Sequence, residues 1–177
     1  MTLQLASATI GIDIVRLVAE ALKFIFPAYC ANAMPVLAGG GLPLDFGKNL
    51  SDGRPIFGKN KTFRGLFAGL IVGTLVGLVE SILFSYPVLF GLVSALGALL
   101  GDLIGAFVKR RLNIPPGGLL PVIDQLDFAV GAIAFSMMLF ANMLSLELTV
   151  TVLIITAPIH LLTNYAAYRL GYKKNPW

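Results

Sequence analysis

Residues 65–84 read Gly-Leu-Phe-Ala-Gly-Leu-Ile-Val-Gly-Thr-Leu-Val-Gly-Leu-Val-Glu-Ser-Ile-Leu-Phe, with Glu80 the one ionisable side chain among them. A helix that crosses a bilayer needs roughly 20 mainly apolar residues, and this run supplies them. Three more runs qualify, at 88–108, 128–146 and 148–168. A fifth, at 10–34, is punctuated by Asp13, Arg16, Glu20 and Lys23. Its apolar residues Ile14, Leu17, Val18, Leu22 and Ile25 still recur at helical spacing. The expectation is an all-α integral membrane protein: five transmembrane helices in one domain over 1–177, with a small cytoplasmic cap built from the loops 39–64 and 109–127.

Composition agrees with that reading. Hydrophobic residues make up 57% of the 177, and charged residues 12%, against roughly 25% charged in a soluble domain. In water such a surface would carry large sticky patches. The net charge of +4 would suggest nucleic acid for a soluble chain. Here the basic residues lie between apolar runs, so topology explains them first and anionic lipid or a phosphorylated ligand second. No nucleic-acid partner is expected. The lone Cys30 excludes an intramolecular disulfide and a Cys-based zinc site. The charges in the first run also argue against a cleaved leader.

The connections differ in kind. Ser85-Tyr86-Pro87 and the stretch around 145–148 are short and nearly uncharged, whereas 39–64 and 109–127 are long, polar and rich in Gly and Pro. With five helices the connections alternate sides. Lys48, Arg54, Lys59, Lys61, Arg64, Lys109, Arg110, Arg111, Arg169, Lys173 and Lys174 then fall together. The positive-inside rule makes that side cytoplasmic, with the N-terminus outside and the C-terminus inside.

Two glycine ladders, Gly65-Gly69-Gly73-Gly77 and Gly97-Gly101-Gly105, repeat at the spacing that lets helix backbones approach closely in lipid.

The chemistry concentrates at the cytoplasmic end. Asp102 and Lys109 are seven residues apart and share a helix face, with Asp102 about 10 Å deeper at the helical rise. A carboxylate at that depth is costly unless paired or bound to a cation. Asp124 and Asp127 follow, three apart, at the start of the fourth helix. Helix capping would explain them blandly. Three carboxylates beside the cluster Lys109-Arg110-Arg111 instead suggest a hard cation with oxygen ligands, Mg²⁺, and bound phosphate. No His–Cys set exists for zinc, since His160 is the one histidine. With Asn164 one turn on, it reads as a hydrogen-bonded structural histidine. Glu80 reads as structural or snorkelling. Asp13, Arg16, Glu20 and Lys23 read as pairs within their own helix.

The loop Phe57-Gly58-Lys59-Asn60-Lys61-Thr62-Phe63-Arg64-Gly65 is the second candidate. Lys59, Lys61 and Arg64 can meet phosphate oxygens, and Thr62 can cap the second helix, whose N-terminus favours anions. The Walker spacing is absent. Asp45 to Asp52 can equally fold over a nucleotide or form a turn-rich linker.

Lys61-Thr62-Phe63-Arg64-Gly65, the Gly101-Asp102 helix ending in Lys109-Arg110, and the later Asp124 and Asp127 together resemble the CTP:phosphatidate cytidylyltransferase superfamily. Lys-Arg-Arg, Pro-Gly-Gly and Asp-Gln-Leu-Asp-Phe are more similar to its archaeal branch, the CDP-archaeol synthases. The similarity covers about 45–131. It implies that CTP reacts with an isoprenoid ether lipid phosphate, 2,3-di-O-geranylgeranylglyceryl phosphate, to give a CDP-lipid and pyrophosphate. It further implies Asp102, Asp124 and Asp127 as Mg²⁺ ligands, and Lys109, Arg110 and Arg111 as phosphate holders, with Lys59, Lys61, Thr62 and Arg64 in support. Bacterial-type members carry His-Gly-Gly where this chain has Pro116-Gly117-Gly118, so no role of that histidine transfers.

Two alternatives stay open at this point. A CTP-dependent polyprenol or dolichol-type kinase would move the γ-phosphate to an alcohol and leave CDP. A small transporter would line a path with Asp102, Glu80 and His160, and would place polar residues at several depths rather than at one interface.

Overall fold

In the computed structural model, residues 2–115 and 117–176 are described, with side chains from Asp13 onward. Pro116 of the Pro-Gly-Gly loop and Trp177 lie outside them. The elements are α1 (Thr2–Leu37), α2 (Phe63–Phe84), α3 (Phe90–Arg111), α4 (Ile123–Phe140), a 3₁₀ turn (Ala141–Met143) and α5 (Leu146–Arg169). Among the described residues there is no strand, only the isolated bridges Pro43–Thr62 and Asn49–Pro55. The all-helical expectation holds. Four helical stretches, Phe63–Phe84, Phe90–Arg111, Ile123–Met143 and Leu146–Arg169, are long and apolar enough to cross a membrane. The first helix starts at Thr2 rather than at 10, and α4 starts at Ile123 rather than at 128.

The helices close around a core of Phe24 and Ile25 from α1, Phe90 from α3, Phe128 and Ala129 from α4, and Val152 from α5. Phe90 is the aromatic hub. Its ring lies 5.3 Å from Phe24, 4.8 Å from Tyr86 and 6.0 Å from Phe140 between centroids. The outward face of α2 is apolar, with Ile71, Leu75, Val79 and Ile82 exposed, as lipid contact requires.

The glycine ladders do what their spacing predicts. A Cβ on Gly69 would lie 2.6 Å from the Ala31 carbonyl oxygen of α1, and one on Gly97 would lie 2.5 Å from the Gly131 carbonyl oxygen of α4. Gly77 and Gly91 face each other backbone to backbone where α2 meets α3. Close approach needs these positions to lack a side chain.

Glu80 is buried rather than snorkelling, with 4% of its surface exposed. Glu20 and Lys23 pair within α1 at 2.7 Å. The Asn164 amide lies 3.2 Å from the His160 ring nitrogens, one helical turn away.

Candidate active site

The first long loop is organised from inside by Asp45. This buried carboxylate accepts hydrogen bonds from the backbone N–H groups of Gly47 (3.0 Å), Phe57 (3.0 Å) and Gly58 (2.7 Å). Burial pushes its carboxyl up. The donors of Gly58, Phe57 and Gly47 outweigh that, so its pKa lies below the ordinary 3.8. The loop is therefore a folded unit rather than a slack linker. Thr62 then caps α2, its hydroxyl accepting from Gly65 N–H at 3.2 Å.

This framework delivers Lys61 to α3. The Lys61 ammonium lies 2.6 Å from Asp102 Oδ1 and 2.5 Å from Oδ2, forming a bidentate, partly buried pair. A second pair joins α3 to α4. Lys109 at the end of α3 lies 2.9 Å from Asp124 Oδ1 and donates to Oδ2 at 3.0 Å and to the Gly118 carbonyl at 3.1 Å. Asp124 also accepts from Leu120 N–H at 2.9 Å, which fixes the turn before α4. That turn is strained at Val122, a β-branched residue at φ 67°.

Asp127 lies where α3 and α4 touch. Its Oδ2 fills the space in which a Gly105 side chain would begin, and its carbonyl does the same at Gly101. It feels the charge of Asp102 foremost, and also those of Lys61 and Asp124. Beside it an apolar cavity of about 260 Å³ runs between α3 and α4, lined by Ile104, Val108, Ile123, Val130 and Phe135 among others.

The remaining basic residues divide by task. Arg110 is buried, and its Nε and Nη1 have no hydrogen-bond partner. Arg111 clips the first loop to α3: it pairs with Asp52, donates to the Pro55 carbonyl at 2.5 Å, and lies 5.2 Å from the Phe107 ring centroid. Arg54 returns a hydrogen bond to the Arg111 carbonyl. Arg64 ties the end of α1 to α2 through the carbonyls of Ala38 (2.7 Å) and Gly39 (2.6 Å). Lys59 is exposed.

Of the residues singled out in the sequence, then, Lys61, Asp102, Lys109, Asp124 and Asp127 converge. Arg64 and Arg111 hold backbone. Among the described residues no three His, Cys, Asp or Glu side chains gather closely enough to hold a metal by themselves. Sequence reasoning missed Asp45 as the loop's organiser, although an Asp followed by turn-forming glycines is a usable signal.

Fold and site together define a multi-pass helical membrane protein with an ion-paired centre at one end of its bundle. The chain belongs to the CarS-like CDP-archaeol synthase family, whose model matches residues 14–177. It is 45% identical over 167 residues to the CDP-archaeol synthase of Thermofilum pendens, covering 90% of this chain and 81% of that one. It is 43% identical over 175 residues to the CDP-archaeol synthase of Methanococcoides burtonii, covering 86% and 100%. A solved structure of an intramembrane enzyme for archaeal membrane lipids biosynthesis matches with TM-score 0.77 at 39% identity, covering 83% of this chain and 94% of that chain.

Proposed function

We propose that this chain transfers the cytidylyl group of CTP to the phosphate of an archaeal isoprenoid glycerol ether lipid, 2,3-di-O-geranylgeranylglyceryl phosphate, and releases pyrophosphate. The observation that carries the reading is Asp127 packed against Gly105 of α3, the helix that also carries the Lys61–Asp102 pair and Lys109, which pairs with Asp124, in a chain of this family.

A lipid phosphate oxygen attacks the α-phosphorus of CTP. The new P–O bond forms as the bond to the β-phosphate oxygen breaks, and pyrophosphate departs with that electron pair. The nucleophile is already ionised, so no general base is needed. Catalysis then reduces to positioning and charge neutralisation.

Lys61 and Lys109 are the side chains best supported as phosphate contacts, because both ammonium groups reach the centre. Arg110 brings a buried guanidinium with donors to spare, and a buried unpaired cation is costly without an anion. Lys59, Thr62, Arg64 and Arg111 frame the same end, the last two through the backbone contacts above.

The donor set fits Mg²⁺. Asp102 and Asp127 are two carboxylates where α3 and α4 pack together, and Asp124 stands one turn before Asp127 on α4. Magnesium is typically held by one or two carboxylates with phosphate oxygens and water in the other positions. When bound, it neutralises charge on the phosphates.

The apolar cavity beside Asp127 suits an isoprenoid tail entering sideways from the membrane. We read α1 as the fifth spanning helix, because its exposed Ile14 and Val15 suit lipid better than water. The basic end then faces the cytoplasm, with the N-terminus outside.

The test uses CTP labelled in cytosine and, separately, in the γ-phosphate. The expected result is cytosine label in the lipid and γ label in pyrophosphate. γ label in the lipid, with CDP left in solution, would mean a kinase.

A further inference from the structure

The segment after α5 contributes to this centre, and nothing in the sequence motifs announced it. α5 ends in a tight reversal. Gly171 adopts φ +80°. Its N–H reaches the Tyr168 carbonyl at 3.0 Å, and the Tyr172 N–H reaches the Ala167 carbonyl at 2.9 Å. Those two bonds are the 5→2 and 6→1 pair that turns a chain back on its own helix. Lys173 follows at once, its N–H 3.3 Å from the same Ala167 carbonyl. Two residues on, Asn175 donates from Nδ2 to the Gly117 carbonyl at 3.0 Å, tying the segment to the loop between α3 and α4.

Between these two anchors Lys173 is partly buried. The charges it feels are those of Lys61, Lys109, Asp124 and Asp102, in that order, which are the four members of the two ion pairs described above. Burial, then the neighbouring ammonium groups, hold its own ammonium below the ordinary lysine range, against the opposing pull of the two carboxylates.

The segment that carries Lys173 is thus tied at Gly117, next to the Gly118 carbonyl that Lys109 holds, and three ammonium groups from separated parts of the chain act on one another's charge there. With the buried Arg110, which feels Asp124, the cations number four against the three carboxylates Asp102, Asp124 and Asp127, and an excess of positive charge suits a ligand with more than one anionic oxygen. We propose that Lys173 is a substrate-contacting residue of this centre, delivering its ammonium to a phosphate oxygen, with Asn175 as the positioning residue that holds the segment against the loop. The inference rests on the proposed cytidylyl transfer. The phosphate belongs either to the nucleotide or to the lipid.

Full-length protein in lipid nanodiscs decides it. With CTP and lipid phosphate varied in turn, Lys173→Met is expected to lose about 10- to 100-fold in kcat/KM, the range of one charge-assisted hydrogen bond. A rise in the KM for CTP assigns the triphosphate, and a rise in the KM for lipid assigns the lipid phosphate. Lys173→Arg restores most of the loss. Asn175→Ala loses less, and adds nothing on top of Lys173→Met. Wild-type kinetics in Lys173→Met, or equal damage in Lys173→Arg, overturns the proposal.

A readout on the unmutated protein covers variants that fail to fold. Lysine acetylation followed by mass spectrometry should show Lys173 shielded by CTP with Mg²⁺ or by the lipid phosphate. Turnover without shielding by either ligand also overturns the proposal. A wild-type protein that makes no CDP-lipid instead overturns the function on which it rests.

Discussion

Asp127 Oδ2 occupies the volume that a side chain at Gly105 would take. The glycine on α3 and the carboxylate on α4 are thus one device: the absent Cβ is what lets an acidic group enter the contact between α3 and α4. Gly105→Ala should push Asp127 aside. Overpacking of this kind costs about 1–3 kcal/mol, and the displaced carboxylate should cost more in activity than in stability. Thermal unfolding and CDP-lipid turnover measured side by side check this. Unchanged turnover in a folded Gly105→Ala protein would contradict the role of the contact.

Lys61 and Asp102 hold each other in a partly buried pair. Lys61→Met leaves the carboxylate without its counter-charge and should destabilise the protein by about 1–3 kcal/mol, less than a fully buried pair would. Adding Asp102→Asn to Lys61→Met should recover the thermal midpoint but not turnover. Recovery of both would remove Asp102 from the reaction centre.

Asp45 links stability to pH through the first loop. Its folded pKa lies below the ordinary 3.8, so the unfolded chain takes up its proton first as pH falls. The stabilisation is whole above the unfolded value, and drains away as pH drops below about 4 through the folded value. Asp45→Asn should cost about 2 kcal/mol at neutral pH, the order of hydrogen bonds to a charged acceptor. It should also flatten the acid limb of the unfolding curve. An acid limb identical to wild type would show that the loop does not depend on this carboxylate.

The proposed sidedness rests on the positive-inside reading of the basic loops. Reporters inserted near 51–53 or fused after 176 should read cytoplasmic, and one inserted at 86–87 should read external. A shared side for 51–53 and 86–87 would mean that α2 does not cross the bilayer.

The apolar runs of α2, α3 and α5 are legible because lipid demands some twenty apolar residues whatever their order. α4 is less so at its start. Asp124, Gln125 and Asp127 look like loop chemistry, yet they sit inside the helix from Ile123, where Asp124 is neutralised by Lys109 and accepts the Leu120 N–H. The glycine ladders announce tight packing, but not that Asp127 fills the space at Gly105. Pairings such as Lys61 with Asp102 join residues 41 apart, and no helical period reports that. Arg64 shows the reverse limit. A guanidinium beside a phosphate-like motif reads as an anion binder, while here its donors close the end of α1.

The most direct test is Asp127→Asn, which keeps the shape of the side chain and removes its charge. CDP-lipid formation should fall by at least about 100-fold, with the helical signal and thermal midpoint at or above wild type and no rescue by added Mg²⁺. A folded Asp127→Asn enzyme turning over at the wild-type rate would contradict the account.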